Sequence, residues 1–233
     1  MKKKLLLLLS LCLFAGMKAF AYDACIDDIY YNFSGNEAEV TYENKIVDDE
    51  GSEFIVSDYS GSVNIPSSII WNGETYTVTS IGNLAFSCCS DLTSVTIPNS
   101  VRTIGWLSFS MCSGLTSVYI GDSVTTINGQ AFAGCSSLSS ITIPDNVTYI
   151  ESDALTETAW YDNQPGGLVY AGKVAYKYKW TVPAGTEIVI RDGTIAIADF
   201  FLSDDYHSCD GLTSVTIPNS VISIGWCAFS GCI

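Results

Sequence analysis

Charged residues are scarce in this 233-residue chain, and basic residues are the scarcest of them. Charged residues make up 15% of the chain, and 10 Lys and Arg against 25 Asp and Glu give a net charge of −15. This composition excludes a disordered polyelectrolyte and a basic nucleic-acid binder, since such an acidic surface repels phosphate backbones. The apolar fraction of 48% is sufficient for a buried core.

The chain also contains only a single histidine and no recognisable catalytic motif. His207 is the one histidine of the chain, and no Gly-x-Ser-x-Gly turn, phosphate loop or dinucleotide fingerprint accompanies it. Asp204, Asp205 and Asp210 beside it could hold a metal ion, but a charged, solvated loop explains them equally well. We therefore predict that the protein is not an enzyme and uses neither a metal nor another cofactor.

No apolar run is long enough to cross a bilayer. The run at residues 5–17 has 13 residues, whereas a spanning helix needs about 20. Three lysines precede this run and Ala19-Phe20-Ala21 follows it, which is the plan of a secretory signal peptide. We predict that residues 1–21 are a signal peptide cleaved after Ala21. The mature chain is then secreted or held at the cell surface, without insertion into a membrane.

A repeat with a period of 23 residues runs through the chain. Residues 92–114 read LTSVTIPNSVRTIGWLSFSMCSG, residues 115–137 read LTSVYIGDSVTTINGQAFAGCSS, and LTSVTIPNSV recurs unchanged at 212–221. A fixed period of this length indicates a stacked repeat architecture. Three residue types keep their positions in successive copies: Ile81, Ile104, Ile127 and Ile150; Phe86, Phe109 and Phe132; Cys89, Cys112 and Cys135, with Cys209 and Cys232 further on.

The pattern within one repeat predicts a short strand followed by a turn. Leu92, Val95 and Ile97 fall on one side of the strand, and Ser94 and Thr96 fall on the other. The proline after this strand and the Asn-Ser that follows favour a reversal of the chain. One repeat buries too few apolar side chains to offset the entropy of ordering it, so the repeats must stack on each other.

One repeat carries a large insertion. Ile150 and Ile197 are 47 residues apart, which is two periods plus one. Within this stretch, apolar residues alternate on both sides of Ala171-Gly172, a pattern that predicts a β-hairpin. We expect this hairpin, at about residues 160–180, to project from the stack.

With these motifs and SIGWCAFSGC at 223–232, the chain resembles the BspA-like leucine-rich repeat proteins, which are surface proteins of host-associated anaerobic bacteria and some mucosal parasites. The resemblance implies a mainly β repeat solenoid at 60–233, a right-handed stack of about six 23-residue rungs. Residues 22–59 resemble the short β cap that precedes such repeats. The family implies adhesion to host matrix proteins, host cells or other microbes, and no catalytic residues.

Two groups of residues are candidates for ligand binding. The first is the outward side of the predicted strands, which is polar and almost uncharged: Ser94, Thr96, Ser117, Tyr119, Ser140 and Thr142. These hydroxyls could bind a protein strand or a glycan, but they could equally be β-compatible residues that keep an exposed sheet soluble. The second is the aromatic set of the insertion, which lies among Lys173, Lys177 and Lys179: Trp160, Tyr161, Tyr170, Tyr176, Tyr178 and Trp180. Packing of the insertion onto the stack is the alternative for this set.

Three function classes fit the sequence. The first is a module for protein binding or adhesion, whose partner is a host or microbial surface protein. The second is a structural spacer that binds nothing, and the third is a glycan-binding component of a surface assembly. In addition, an open last rung would expose strand and core, so either the sequence is a fragment that ends within a repeat array or the protein associates end to end.

Nine cysteines suggest a disulfide framework, but the repeat changes this interpretation. Cys12 lies in the signal peptide, and the five repeat cysteines occupy a corner beside phenylalanine, where a thiol behaves as a small apolar side chain. Stacked strands are about 5 Å apart, which is within disulfide reach, so pairing stays open. We predict several slowly reacting thiols rather than a set of disulfides.

Overall fold

The structure is a computed structural model that describes residues 22–47, 53–56, 58–202, 209 and 211–232. The predicted signal peptide, His207 and the aspartates beside it lie outside these residues. The regular structure is almost entirely β, as the repeat pattern predicts.

Short antiparallel strands form the N-terminal cap. The first three strands make a meander, in which β1 pairs with β2 and β2 pairs with β3, and the next two form a separate hairpin. The strands of the cap are β1 (Ala24–Ile26), β2 (Ile29–Ser34), β3 (Glu37–Thr41), β4 (Asn44–Val47) and β5 (Glu53–Val56).

The repeats within residues 74–150 then pair in parallel with a constant offset, and one further strand at residues 68–71 pairs antiparallel with the strand that follows it. The first strands of the repeats form one sheet, in which β9 lies between β6 and β11. The second strands form another, in which β8, β10, β12 and β13 follow each other and β3 of the cap pairs with β8. These strands are β6 (Gly61–Asn64), β7 (Ser68–Trp71), β8 (Glu74–Ile81), β9 (Leu92–Ile97), β10 (Thr103–Ile104), β11 (Ser117–Ile120), β12 (Thr126–Ile127) and β13 (Tyr149–Ile150).

Columns of identical side chains fill the space between the two sheets. The Phe86 and Phe109 rings stack with centroids 4.8 Å apart, and the Phe109 and Phe132 rings stack at 5.1 Å, both nearly parallel. The turn after each first strand closes with a backbone hydrogen bond, as from the Val101 N–H to the Pro98 carbonyl at 3.1 Å. The predicted turn after the proline is therefore confirmed, and the apolar columns are the core of the solenoid.

The insertion contains the hairpin that the alternation predicts, but this hairpin does not project from the stack. β14 and β15 pair antiparallel, and β15 also pairs in parallel with β17, so that it takes the place of a second strand. It stays against the stack because Val174, Ala175 and Tyr176 are buried. The elements of this part are α1 (Ala159–Asp162), β14 (Gly167–Ala171), β15 (Val174–Lys179), β16 (Thr186–Val189), β17 (Ala196–Ile197), β18 (Leu212–Thr216) and β19 (Ser223–Ile224).

The insertion divides both sheets. β16 and β18 form a two-stranded sheet apart from β6, β9 and β11, while β14, β15, β17 and β19 form a sheet apart from β13. Side chains connect the two parts: the Tyr149 hydroxyl donates to Asp199 Oδ2 at 2.8 Å, and Asp199 Oδ1 accepts from the Trp226 N–H at 2.7 Å. The buried carboxylate of Asp199 thus ties repeats on both sides of the insertion together.

One cysteine pair departs from the prediction that the repeat cysteines are thiols. Cys209 and Cys232, 23 residues apart, form a disulfide. The other described cysteines are present as thiols, as predicted. In the inner repeats the thiols have another partner, because Cys112 Sγ donates to the Phe86 carbonyl at 3.0 Å and Cys135 Sγ donates to the Phe109 carbonyl at 3.1 Å.

Candidate functional site

The outward side of β6, β9 and β11, which we call the strand face, is built by the alternation of each strand. In β9, Leu92, Val95 and Ile97 are buried, whereas Thr93 and Thr96 are exposed. The parallel pairing places equivalent residues of neighbouring repeats next to each other. Side chains of one type therefore form continuous rows across the strands.

Two rows lie on the strand face. The first contains Ser62, Ser94 and Ser117, and the hydroxyls of Ser62 and Ser94 are hydrogen-bonded to each other. The second contains Asn64, Thr96 and Tyr119, and the Tyr119 side chain is 52% exposed. Both rows are uncharged and offer hydroxyl and amide groups beside one aromatic ring. Such a surface can donate and accept hydrogen bonds while the ring supplies apolar contact.

The rows do not continue as strands into the next repeat. Ser140 and Thr142 are exposed, but residues 138–143 form no strand. The insertion explains the difference, because the Trp160 N–H donates to the Leu138 carbonyl at 2.7 Å and Gly172 packs against the carbonyl of Ile143. The two candidates therefore lie on extended chain beside β11 rather than in its sheet.

Trp160 and Tyr161 pack against the core from the start of the insertion. Both are half-buried, and the Tyr161 and Tyr176 rings meet edge to face at 6.0 Å. The Lys179 ammonium holds this region together, since its Nζ donates to the carbonyls of Tyr161, Asp162 and Gln164 at 2.8–3.0 Å. The primary role of these contacts is to fix the insertion on the stack.

Tyr176 is not a surface residue, and its prediction as a ligand contact is wrong. Its side chain is 1% exposed, and its hydroxyl accepts a hydrogen bond from the Leu155 N–H at 3.0 Å. Burial raises the pKa of the Tyr176 phenol above its ordinary value. The side chain is buried because β15 occupies the position of a repeat strand and carries alternate residues into the core.

The remaining aromatics of the insertion differ in exposure. Tyr170 and Tyr178 are half-buried, and Tyr170 lies under the Arg191 guanidinium, 4.0 Å from ring centroid to Cζ. Trp180 is 67% exposed and lies over Gly166, where a Cβ would come within 2.2 Å of the indole ring. Trp180 is therefore the residue of this set with most of its ring available to a partner.

Two exposed tryptophans were not identified from the sequence. Trp106 is 45% exposed and Trp226 is 69% exposed, each one residue after the glycine that follows a second strand. Their backbone N–H groups donate to Asn83 Oδ1 and Asp199 Oδ1 of the preceding repeat. The recurring Ile-Gly-Trp triplet could have indicated them, because the residue after a tightly packed glycine points outward.

Among the described residues, no cluster of three or more His, Cys, Asp and Glu side chains is arranged to hold a metal ion. In the same part of the chain, none of the helices has the length and apolar character needed to span a membrane.

A family model for the BspA-type leucine-rich repeat region, in six copies, matches residues 52–162 and 194–233. The chain belongs to this family. The unmatched residues 163–193 include the hairpin of β14 and β15, so the insertion distinguishes this member from the repeat consensus. No curated protein matches the chain.

Solved structures of bacterial leucine-rich repeat proteins are similar to this member of the family. A protein from Bacteroides ovatus is 30% identical with a TM-score of 0.54, over 91% of this chain and 45% of its own. A leucine-rich cell surface protein from Faecalibacterium prausnitzii is 27% identical with a TM-score of 0.53, over 94% of this chain and 48% of its own. The chain thus spans about half the length of these two proteins.

Proposed function

We propose that this BspA-type repeat protein is an exported, non-enzymatic module that binds a surface protein of a host or of another microbe through the strand face. The observation that supports this function is the pair of uncharged rows on the strand face, one of which ends at the exposed Tyr119. Aromatic anchors surrounded by polar contacts are the usual composition of a protein-binding site. Trp180 is a second anchor, on the insertion.

Export is supported by the predicted signal peptide and by the disulfide between Cys209 and Cys232. Disulfides persist in oxidising compartments and are rare in the bacterial cytosol. The similar protein from Faecalibacterium prausnitzii is described as a cell surface protein.

Binding of the residue 22–233 chain to immobilised matrix proteins and to a glycan array tests this function. A bound matrix protein should lose affinity about fivefold or more with Tyr119→Ser or Trp180→Ala, because truncated anchors commonly cost over 1 kcal/mol. Trp106→Ala is the matched control, since it removes an exposed aromatic side chain away from the strand face. Deletion of the whole insertion is unsuitable as a test, because β15 contributes to the core.

The two other function classes are outcomes of the same screen. A chain that binds neither the matrix proteins nor the glycan array is a spacer. A chain that binds only glycans is a carbohydrate-binding component. Equal losses of affinity for Tyr119→Ser and Trp106→Ala would contradict a role of the strand face.

A further inference from the structure

A cavity of about 730 Å³ lies between the N-terminal cap and the first repeat, and it meets the strand face at β6, where Ser62 and Asn64 line it. Its size is within the usual range of ligand sites. We call it the cap cavity, and its walls come from the turn between β1 and β2, from β2, from residues 58–60 and from the first repeat up to Ile69.

The walls of the cap cavity are strongly acidic. They include Asp27, Asp28, Glu43 and Asp58, and none of the described lining residues is Lys, Arg or His. Asp27 and Asp28 are the two central residues of the β1–β2 turn, with φ values of 50° and 63°. The turn therefore presents two carboxylates side by side with no basic side chain among them.

A buried hydroxyl without a partner lies in the same wall. Tyr31 is fully buried, and its phenolic oxygen has no hydrogen-bond partner. The neighbouring Tyr59 differs, because its hydroxyl donates to the Thr41 carbonyl and accepts from the Tyr30 N–H, both at 3.0 Å. An unsatisfied buried hydroxyl costs free energy, and of the four such hydroxyls among the described residues, that of Tyr31 belongs to a residue that lines this cavity.

The electrostatic surroundings locate the Tyr31 phenol beside the acidic wall. Burial raises its pKa, and the negative charge of Asp27 raises it further. The same phenol contributes to the raised pKa of Tyr59, which also lines the cavity. Tyr31 lines the cavity together with Asp27 and Tyr59.

We propose that the cap cavity binds a lysine or arginine side chain of a protein partner, at a second binding site beside the β6 edge of the strand face. Four carboxylates with no basic side chain among the described lining residues attract a cation, and the net charge of −15 adds to that attraction. Tyrosine rings provide cation–π contact, and a guanidinium offers five donors to carboxylate and phenolic oxygens. A neutral sugar would have to desolvate these carboxylates without neutralising them, so a cationic group fits better.

Fluorescence anisotropy with a labelled nonapeptide of alternating arginine and glycine tests this site in the residue 22–233 chain. The peptide should bind, binding should weaken with added NaCl, and the same peptide with citrulline in place of arginine should not bind. Asp28→Asn and Asp58→Asn should each weaken binding about two- to fivefold. Asp192→Asn, which removes an exposed charge far from the cavity in sequence, should leave the affinity unchanged.

The Tyr31→Phe variant distinguishes an effect on peptide affinity from an effect on folding stability. Because the hydroxyl has no partner within the protein, its removal should leave the urea midpoint unchanged or higher, while the affinity for the arginine peptide falls. A lowered midpoint with unchanged affinity would show that the hydroxyl is structural and would overturn the proposal.

Two other outcomes would also overturn it: an equal loss of affinity for Asp192→Asn and Asp28→Asn, or binding of maltohexaose in place of the arginine peptide. Tyr119→Ser should leave peptide binding intact, so failure at the cap cavity is distinguishable from failure at the strand face.

Discussion

Each corner of the solenoid places residues in the left-handed region of backbone conformation. Leu84, Leu107 and Gln130, equivalent in successive repeats, have φ values of 62°, 53° and 55°. A second residue with positive φ lies four positions after the first in each of these repeats. Met111 follows Leu107 with a φ of 60°, and Gly134 follows Gln130 with a φ of 75°. A side chain in this conformation costs about 1–2 kcal/mol, which the stacking of neighbouring repeats must offset.

Gln130→Gly should stabilise the protein by about 0.5–1 kcal/mol. Glycine adopts positive φ without the steric cost of a Cβ, and this gain exceeds the entropy it adds to the unfolded chain. Gln130 is exposed, so few contacts are lost. Urea unfolding measures the change, and Gln130→Ala, which keeps the Cβ, should give no gain. Equal stability of the glycine and alanine variants would contradict the argument.

The thiols should differ widely in reactivity according to their burial. Cys25 and Cys88 are exposed, whereas Cys89, Cys112 and Cys135 are buried. Burial raises the pKa of the Cys89 thiol to about 12. The pKa of the Cys112 thiol is also raised, mainly by a hydrogen bond with Cys135 and secondly by burial. Iodoacetamide at pH 8 should therefore label the two exposed thiols before the three buried ones, because only thiolates react. Cys25 should react more slowly than its exposure alone implies, because partial burial and the charges of Asp28 and Glu43 raise its pKa. In guanidinium all should react at similar rates, and equal rates in the native protein would contradict this prediction.

At the scale of elements, one hydrogen bond between side chains contributes to the link across the insertion, beside those from the Asp199 N–H to the Ile150 carbonyl and from Ser223 Oγ to the Thr148 carbonyl. Tyr149→Phe removes the bond from the Tyr149 hydroxyl to the buried Asp199 and should cost about 1–3 kcal/mol. Tyr119→Phe, on the exposed strand face, should change stability by less than about 0.5 kcal/mol. Hydrogen exchange of residues 196–202 and urea unfolding measure the effect, and equal values for the two variants would show that this hydrogen bond contributes no stability.

The disulfide between Cys209 and Cys232 should stabilise the repeat that it closes. It spans 23 residues of sequence, and closing a loop of this size in the unfolded chain is worth about 3 kcal/mol. The Cys209→Ser, Cys232→Ser double variant should lose about this amount in denaturant unfolding. Dithiothreitol should reproduce the loss in the original chain and have no effect on the variant. An unchanged midpoint after reduction would refute this role.

For the whole molecule, stability should fall in alkaline solution. Burial raises the pKa of Tyr31, Tyr59 and Tyr176 above the ordinary 10.0, and that of Cys89 from 9.0 to about 12. Below pH 9 these groups are protonated in both states. Above it the unfolded chain loses protons that the folded chain keeps, so stability decreases by about 1.4 kcal/mol per pH unit for each ionised group.

Urea unfolding between pH 8 and 11 measures this decrease. The absorbance of phenolate in the same range should show some tyrosines titrating only when the chain unfolds. A constant urea midpoint up to pH 11 would contradict the burial of these phenols.

The sequence predicts the repeat fold because each repeat is specified by local features. These are the alternation of apolar and polar residues, a turn, and a spacing of apolar residues that recurs in each repeat. It predicts burial less well, as the two identical LTSVTIPNSV segments show. Leu92 and Ile97 are fully buried in β9, whereas Leu212 is half-buried and Ile217 is 38% exposed at the end of β18. Burial depends on which strands lie on either side, and a repeat's own sequence does not contain that information.

The candidate sites show the same limit. The outward position of Ser94, Thr96 and Tyr119 follows from alternation within their own strands. The burial of Tyr176 and the exposure of Trp180 follow instead from the pairing of β15 with β17, a contact between distant segments. The cap cavity also combines distant segments, so no local pattern could have indicated it.

The constant offset of the strand pairs has a consequence for changes in length. Removal of residues 115–137 would bring Leu138 to the position that Leu115 holds now, with isoleucine and turn residues at equivalent places and Leu155 in the position of Phe132. Each such deletion or duplication would shorten or lengthen the stack by about 4.8 Å, the spacing of paired strands. The length of the solenoid can therefore change in steps of one repeat while the cap and the insertion stay unaltered.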